Sequence, residues 1–212
     1  MKTTTVPQGG WKNWLTTLHD PTRRWLVVAG FLQLLLSSVV IATSSLLLKG
    51  WVNGENELLF GLGIGGWTGI LQGIRWLSDI TLGPTVGTLS DRFGQARVAT
   101  WLVTLAVAAI LGVITLTTLP AMICLLVILL CDSGLSVTLS AAASGAARGI
   151  AHPHRFIGIY TTGGDIGSAC GPLMAFSIGQ AIGLPVMYVL ISGALAAAIW
   201  YYHTLSKRKT EA

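Results

Sequence analysis

The sequence predicts an all-α membrane protein with six transmembrane helices. Three observations lead there. Hydrophobic residues make up 52% of the 212 positions and charged residues 10%, with a mean hydropathy of +0.70, whereas a soluble domain carries about a quarter charged residues. The apolar residues gather into six runs, each near the roughly 20 residues that a spanning helix needs. The Lys and Arg residues lie between these runs and fall almost entirely on one side of them, which sets orientation in a bilayer.

Taken in order, residues 1–24 form a cytoplasmic basic tail with Lys2, Lys12, Arg23 and Arg24, whose Trp11 and Trp14 suit the membrane interface. The six-helix domain runs over 25–203. Its first span covers about 25–47, and a short loop from Lys49 to Glu57 follows. Span two is long, about 58–89. Span three covers about 98–118 and stops near Pro120, and span four covers about 121–146. A loop with Arg148, His152, Pro153, His154 and Arg155 leads to span five, about 156–181. A brief Gly183-Leu184-Pro185 turn precedes span six, about 186–203. Residues 204–212 form a second cytoplasmic tail with Lys207, Arg208 and Lys209.

Six spans put both termini on one side. The two tails and the loops around 90–97 and 147–155 hold eleven of the thirteen Lys and Arg, and the only base in a loop opposite them is Lys49, beside Glu55 and Glu57. Both termini are therefore expected in the cytoplasm, with the chain in a bacterial inner membrane. The +5 net charge forms no aromatic-interleaved basic stretch, so no nucleic-acid partner is expected. Cys124, Cys131 and Cys170 lie inside apolar runs without a C-x-x-C spacing, which implies neither disulfides nor zinc. His152 and His154 lack a third ligand, so no metal and no cofactor is expected. Trp51, Trp67, Trp76, Trp101 and Trp200 read as interface anchors or packing residues.

The stretch Leu82–Val98, LGPTVGTLSDRFGQARV, joins two long apolar segments through a few polar residues. Gly94 suits a tight turn there, because glycine reaches positive φ at little cost. The spacing Gly87, Asp91, Arg92, Gly94 resembles the signature loop of the major facilitator superfamily (MFS) of secondary transporters, G-x-x-x-D-R/K-x-G-R/K-R/K. The chain departs from it at Gln95 and Ala96, and Arg97 alone keeps a charge there. The resemblance implies a cytoplasmic gating loop after the second helix of a six-helix half. Arg148, most simply a cytoplasmic anchor, is also placed to pair with Asp91 and hold that side closed.

Two glycine series stand at helical spacing: Gly61, Gly65, Gly69 and Gly73 in span two, then Gly163, Gly167 and Gly171 in span five, continued by Ala175 and Gly179. Residues four apart share a helix face, so each series makes a smooth ridge for close helix packing. The ridges serve contacts inside this unit or contacts with another unit. Gly167 to Pro172 also resembles the MFS G-x-x-x-G-P motif of the fifth helix. That resemblance implies that helices two and five face a second half, with both ridges at one seam. Pro172 removes an intrahelical hydrogen bond and is able to kink the helix.

Four ionisable residues lie inside spans: Arg75, Asp79, Asp132 and Asp165. Each is costly against lipid, so each is expected to face a cavity or a partner. They are candidates for a substrate or proton site, with structural pairing as the alternative. Asp132 is expected near the bilayer midplane and Asp165 at similar depth. Asp79, one turn from Arg75, is its expected local partner. Arg75 itself suits an anionic group or an acid on another helix. Asp165 falls within the packing motif.

The resemblance covers nearly the whole chain, at about half the usual length of the family. It implies half of an MFS fold, two inverted three-helix repeats, and transport of a small solute by alternating access, with protons as a candidate co-substrate. The short C-terminal tail favours a C-terminal half. The partner is then a second six-helix half, as a separate chain or as the other copy in a two-fold homodimer. The alternative is a fragment without function of its own. An intramembrane protease is disfavoured, because Ser144-Gly145 is preceded by Ala142 in place of the family glycine and no histidine lies at membrane depth. A channel is disfavoured by the absence of a voltage-sensor or filter pattern. No enzyme activity is expected.

Overall fold

The protein is represented by a computed structural model that describes residues 18–51, 58–59, 61–148 and 150–211. The expectations placed on Lys2, Trp11, Lys12, Trp14, Glu55 and Glu57 lie outside the described residues. Among these residues six long helices follow one another: α1 (Pro21–Gly50), α2 (Ile64–Phe93), α3 (Gln95–Thr115), α4 (Thr118–Ala147), α5 (Pro153–Ile182) and α6 (Leu184–Glu211). A small antiparallel hairpin, β1 (Leu58–Leu59) and β2 (Leu62–Gly63), precedes α2.

Local chemistry sets the boundaries, and several differ from expectation. α1 starts at Pro21, four residues early, because Asp20 caps it: the Thr22 N–H donates to Asp20 Oδ1 at 3.0 Å, and Pro21 has no N–H to satisfy. Span two does not begin at 58, since the hairpin occupies that stretch. Gly61, at φ +78°, is the hairpin turn and not part of the helical ridge. The connection after α2 is shorter than the polar run suggests. Asp91 and Arg92 belong to the last turn of α2, and Gly94 alone is non-helical. Likewise Gly183 alone separates α5 from α6, and Leu184 and Pro185 are already helical. α6 continues to Glu211 in place of a separate tail after 203.

The two single-glycine breaks have the same geometry, φ 89°, ψ 134° at Gly94 and φ 89°, ψ 136° at Gly183. Only glycine reaches this region without strain. Each helix before a break also contains a Gly-Pro pair, Gly83-Pro84 in α2 and Gly171-Pro172 in α5.

Lipid supplies no hydrophobic drive for helix association, so close packing and polar contacts hold such a bundle together. α1 packs against α5 and α6, α3 against α4 and α6, and α2 against α4. The centre is filled by Leu26, Ile110, Leu125, Leu129, Leu139, Phe156, Leu195 and Ile199, all essentially without solvent exposure. Among the described residues four helices are long and apolar enough to cross a membrane: α1, α3, α4 and, over Leu184–Arg208, α6. α2 and α5 are also 30 residues each, about 45 Å at 1.5 Å per residue. Glycines, hydroxyl residues and the ionisable side chains Arg75, Asp79 and Asp165 lower their hydropathy.

The two glycine ridges do different things. On α5, Gly167 lies against the Phe31 carbonyl and Gly171 against Ser38, both on α1. A Cβ at Gly163 would meet Val27 at 3.3 Å, and one at Gly179 would meet Leu184 at 2.9 Å. The α5 ridge is thus used inside the bundle, which corrects the expectation that both ridges face one external seam. On α2, Gly65, Gly69 and Gly73 are exposed, and a Cβ on any of them would meet nothing within 4 Å.

Candidate functional site

The site is built around Asp132, at the middle of α4. It is 8% exposed, in a helix whose neighbouring inward positions are Leu125, Leu129 and Leu135. A carboxylate in such surroundings persists only with hydrogen-bond donors, and two other helices provide them. Gln33 and Ser37 are four apart on α1 and so share a face. Gln33 Nε2 donates to Asp132 Oδ1 at 2.6 Å, and Ser37 Oγ donates to Oδ2 at 2.7 Å. From α2, Arg75 Nη2 reaches the same Oδ2 at 3.2 Å and lies 3.4 Å from Ser37 Oγ. Charge-assisted contacts of this kind are the stronger class of hydrogen bond.

Arg75 is not fully satisfied. Its Nε is buried without a hydrogen-bond partner, while its guanidinium lies 5.7 Å from the centroid of the exposed Trp76 ring. The expected Arg75–Asp79 pair does not form. Arg75 turns to Asp132, and Asp79 accepts a hydrogen bond from Ser133, the next residue on α4. One turn of α2 is thus clamped to two successive residues of α4. Towards the α2/α3 turn, Ser90 and Thr138 join the same helices at 3.2 Å. A void of about 10 Å³ adjoins the cluster between Gln33, Ser37, Ala106, Leu129, Asp132 and Leu195, about the space one water molecule needs.

Of the four intramembrane candidates, the structure brings Arg75, Asp79 and Asp132 together and leaves Asp165 apart. Asp165 is exposed on α5, and Pro172 is exposed on the same helix. Gln33 and Ser37 were missed at the sequence level. Their signal was present as a pair of polar residues one turn apart inside an apolar run. The residues of the Leu82–Val98 stretch gather at one end. Asp91, Arg92 and Arg97 are exposed, Gly87 is half-buried, and the Arg92 guanidinium lies 5.4 Å from the Phe93 ring. Arg148 is exposed at the C-terminal end of α4, and no ion pair joins it to Asp91 among the described residues. His152 and His154 sit ring to ring at 5.8 Å, and no group of three His, Cys, Asp or Glu side chains converges among the described residues.

This bundle, with its polar cluster at mid-helix depth, has a fold seen before in about half of a larger transporter structure. A solved structure that it matches is a crystal structure of the E. coli fucose:proton symporter FucP, with a TM-score of 0.68 and 19% sequence identity. The match covers 95% of this chain and 47% of that one, so the chain spans about half the length of the protein it resembles. At that identity the likeness is one of fold. No family model and no curated protein matches the sequence.

Proposed function

We propose that the chain is a six-helix half of an MFS-type secondary transporter, which moves a small solute by alternating access together with a second half. The observation that carries this reading is Asp132, buried at mid-helix and bound by side chains from α1 and α2. An acid and an arginine there link three helices through contacts that a proton or a solute is able to break. In this reading Asp132 with Arg75 forms the proton and solute-responsive site, Asp79 and Ser133 brace it, and Gly87, Asp91, Arg92, Gly94, Arg97 and Arg148 form the cytoplasmic gate.

Two features support reading the six helices as two inverted three-helix repeats. The single-glycine breaks at Gly94 and Gly183 repeat one geometry. The packing of α1 on α5 answers that of α4 on α2, and α3 on α4 answers α6 on α1. The open α2 ridge and the exposed Asp165 support a second half, because a charge at membrane depth needs water or a partner. The cytoplasmic placement of both termini rests on the distribution of Lys and Arg.

The test is solute-dependent proton movement in proteoliposomes of the full chain. Fucose is the first probe, because the matched protein is a fucose:proton symporter, and other monosaccharides follow. Proton uptake that depends on a solute, and is lost in Asp132→Asn, is the expected result. No solute-linked proton movement, or movement unchanged in Asp132→Asn, overturns the assignment. In the same assay Asp91→Asn slows transport and leaves membrane insertion intact. An unchanged rate removes the gate from the proposal.

A further inference from the structure

At the end of the bundle where α2 turns into α3 lies an open pocket of about 360 Å³ with mixed polar and apolar walls, separate from the Asp132 cluster. It is lined by Gly94, Gln95 and Arg97 from the turn and by His203, Ser206 and Lys207 from α6. Among the described residues no acidic side chain lines it. The N-terminus of α3 opens into it: Gly94 gives no side-chain cap, and the first turn of α3 contains no acid. The Gln95 and Ala96 N–H groups therefore have no intrahelical acceptor, and the positive end of the helix dipole is uncompensated. Arg97 and Lys207, both exposed, contribute two full positive charges. His203 Nε2 is buried without a hydrogen-bond partner.

Two cations, a bare helix start and an unsatisfied imidazole nitrogen share one requirement, a compact group with several acceptor oxygens and negative charge. The surroundings indicate its source. Trp101, 52% exposed, contacts Phe93 on the pocket wall with ring centroids 5.6 Å apart. Trp25 and Tyr201 pair at 4.8 Å on the same end of the bundle, and Trp200 is 67% exposed beside them. Such aromatic residues mark the headgroup level of a bilayer.

We propose that this pocket is a phosphate site that takes the phosphodiester of an anionic lipid headgroup, held by Arg97, Lys207 and the first N–H groups of α3. It rests on placement in a membrane and not on transport. Occupancy ties the start of α3 to the end of α6, on either side of the glycine break, and so stiffens the gate end of the bundle.

The experiment is native mass spectrometry of the full chain taken from bilayers of phosphatidylglycerol and phosphatidylcholine in equal parts. Wild type retains phosphatidylglycerol in preference to phosphatidylcholine. A basic residue near an anionic surface is worth about fivefold in occupancy, so Arg97→Gln with Lys207→Gln lowers retention about 25-fold. Arg97→Lys with Lys207→Arg, which keeps both charges, retains the lipid and separates binding from misfolding. A second arm adds inorganic phosphate to the chain in phosphatidylcholine alone and follows the thermal midpoint. No shift identifies the headgroup as the source. A shift that vanishes in the double glutamine variant identifies free phosphate in the same site. Equal retention of both lipids, or an equal loss in a control that removes Arg23 and Arg155 instead, overturns the proposal.

Discussion

A carboxylate at the centre of a membrane-spanning helix is stable only in the company of its donors, and Asp132 has three. Removing it strands Arg75, whose Nε is already without a partner. Asp132→Leu is therefore expected to destabilise the bundle by about 3 kcal/mol, the cost of breaking a buried pair from one side. The double variant Asp132→Leu with Arg75→Met recovers most of that loss, because both charges leave together. Denaturant unfolding in mixed micelles measures both, and additive losses contradict the pairing. The presence of an important acid at 132 was legible in the sequence, since charge inside an apolar run is costly wherever it points. Its partners were not. Arg75 has Asp79 one turn away, yet helix rotation and the fit of α2 on α4 direct it to Asp132.

At the scale of a helix, one spacing gave two outcomes. Gly163, Gly167 and Gly171 of α5 meet α1 backbone and side chains, while Gly65, Gly69 and Gly73 of α2 meet nothing. Gly167→Ala is expected to cost about 1–3 kcal/mol through overpacking against Phe31. Gly69→Ala is expected to leave the stability of the isolated chain unchanged or to raise it by up to about 1 kcal/mol through helix propensity. Thermal unfolding of the two purified variants checks the contrast, and similar losses in both would contradict it. The breaks at Gly94 and Gly183 provide a second test. Alanine at either position has to adopt φ near +89°, at an expected cost of about 1–3 kcal/mol. The sequence marked Gly94 as a turn residue. It did not show that one residue suffices, because that depends on how closely α2 and α3 pack end to end.

For the molecule as a whole, the expected arrangement has the α2/α3 turn, the α4/α5 connection and the end of α6 on one side. Their proximity is visible in the pocket that joins residues 93–97 to 202–207 and in the approach of Gln95 to Gly145. Single cysteines at Ser206 and Thr117 are expected to react with a membrane-impermeant thiol reagent from opposite faces of the bilayer. Labelling of both from the same face excludes this topology. A cysteine at Gly69 is further expected to crosslink to a second half, with one at Gly167 silent because α1 covers it.

Read alone, the sequence carried the membrane class, the number of long helices and the identity of the charges inside them. These follow from composition and from local periodicity, which one segment carries alone. Tertiary packing set which charges meet, which glycine ridge is used and which is left open, and that Arg97 shares a pocket with Lys207. Those outcomes depend on the rotation of each helix about its axis and on its neighbours. The packing of side chains from several distant segments sets both, and no single span contains that information.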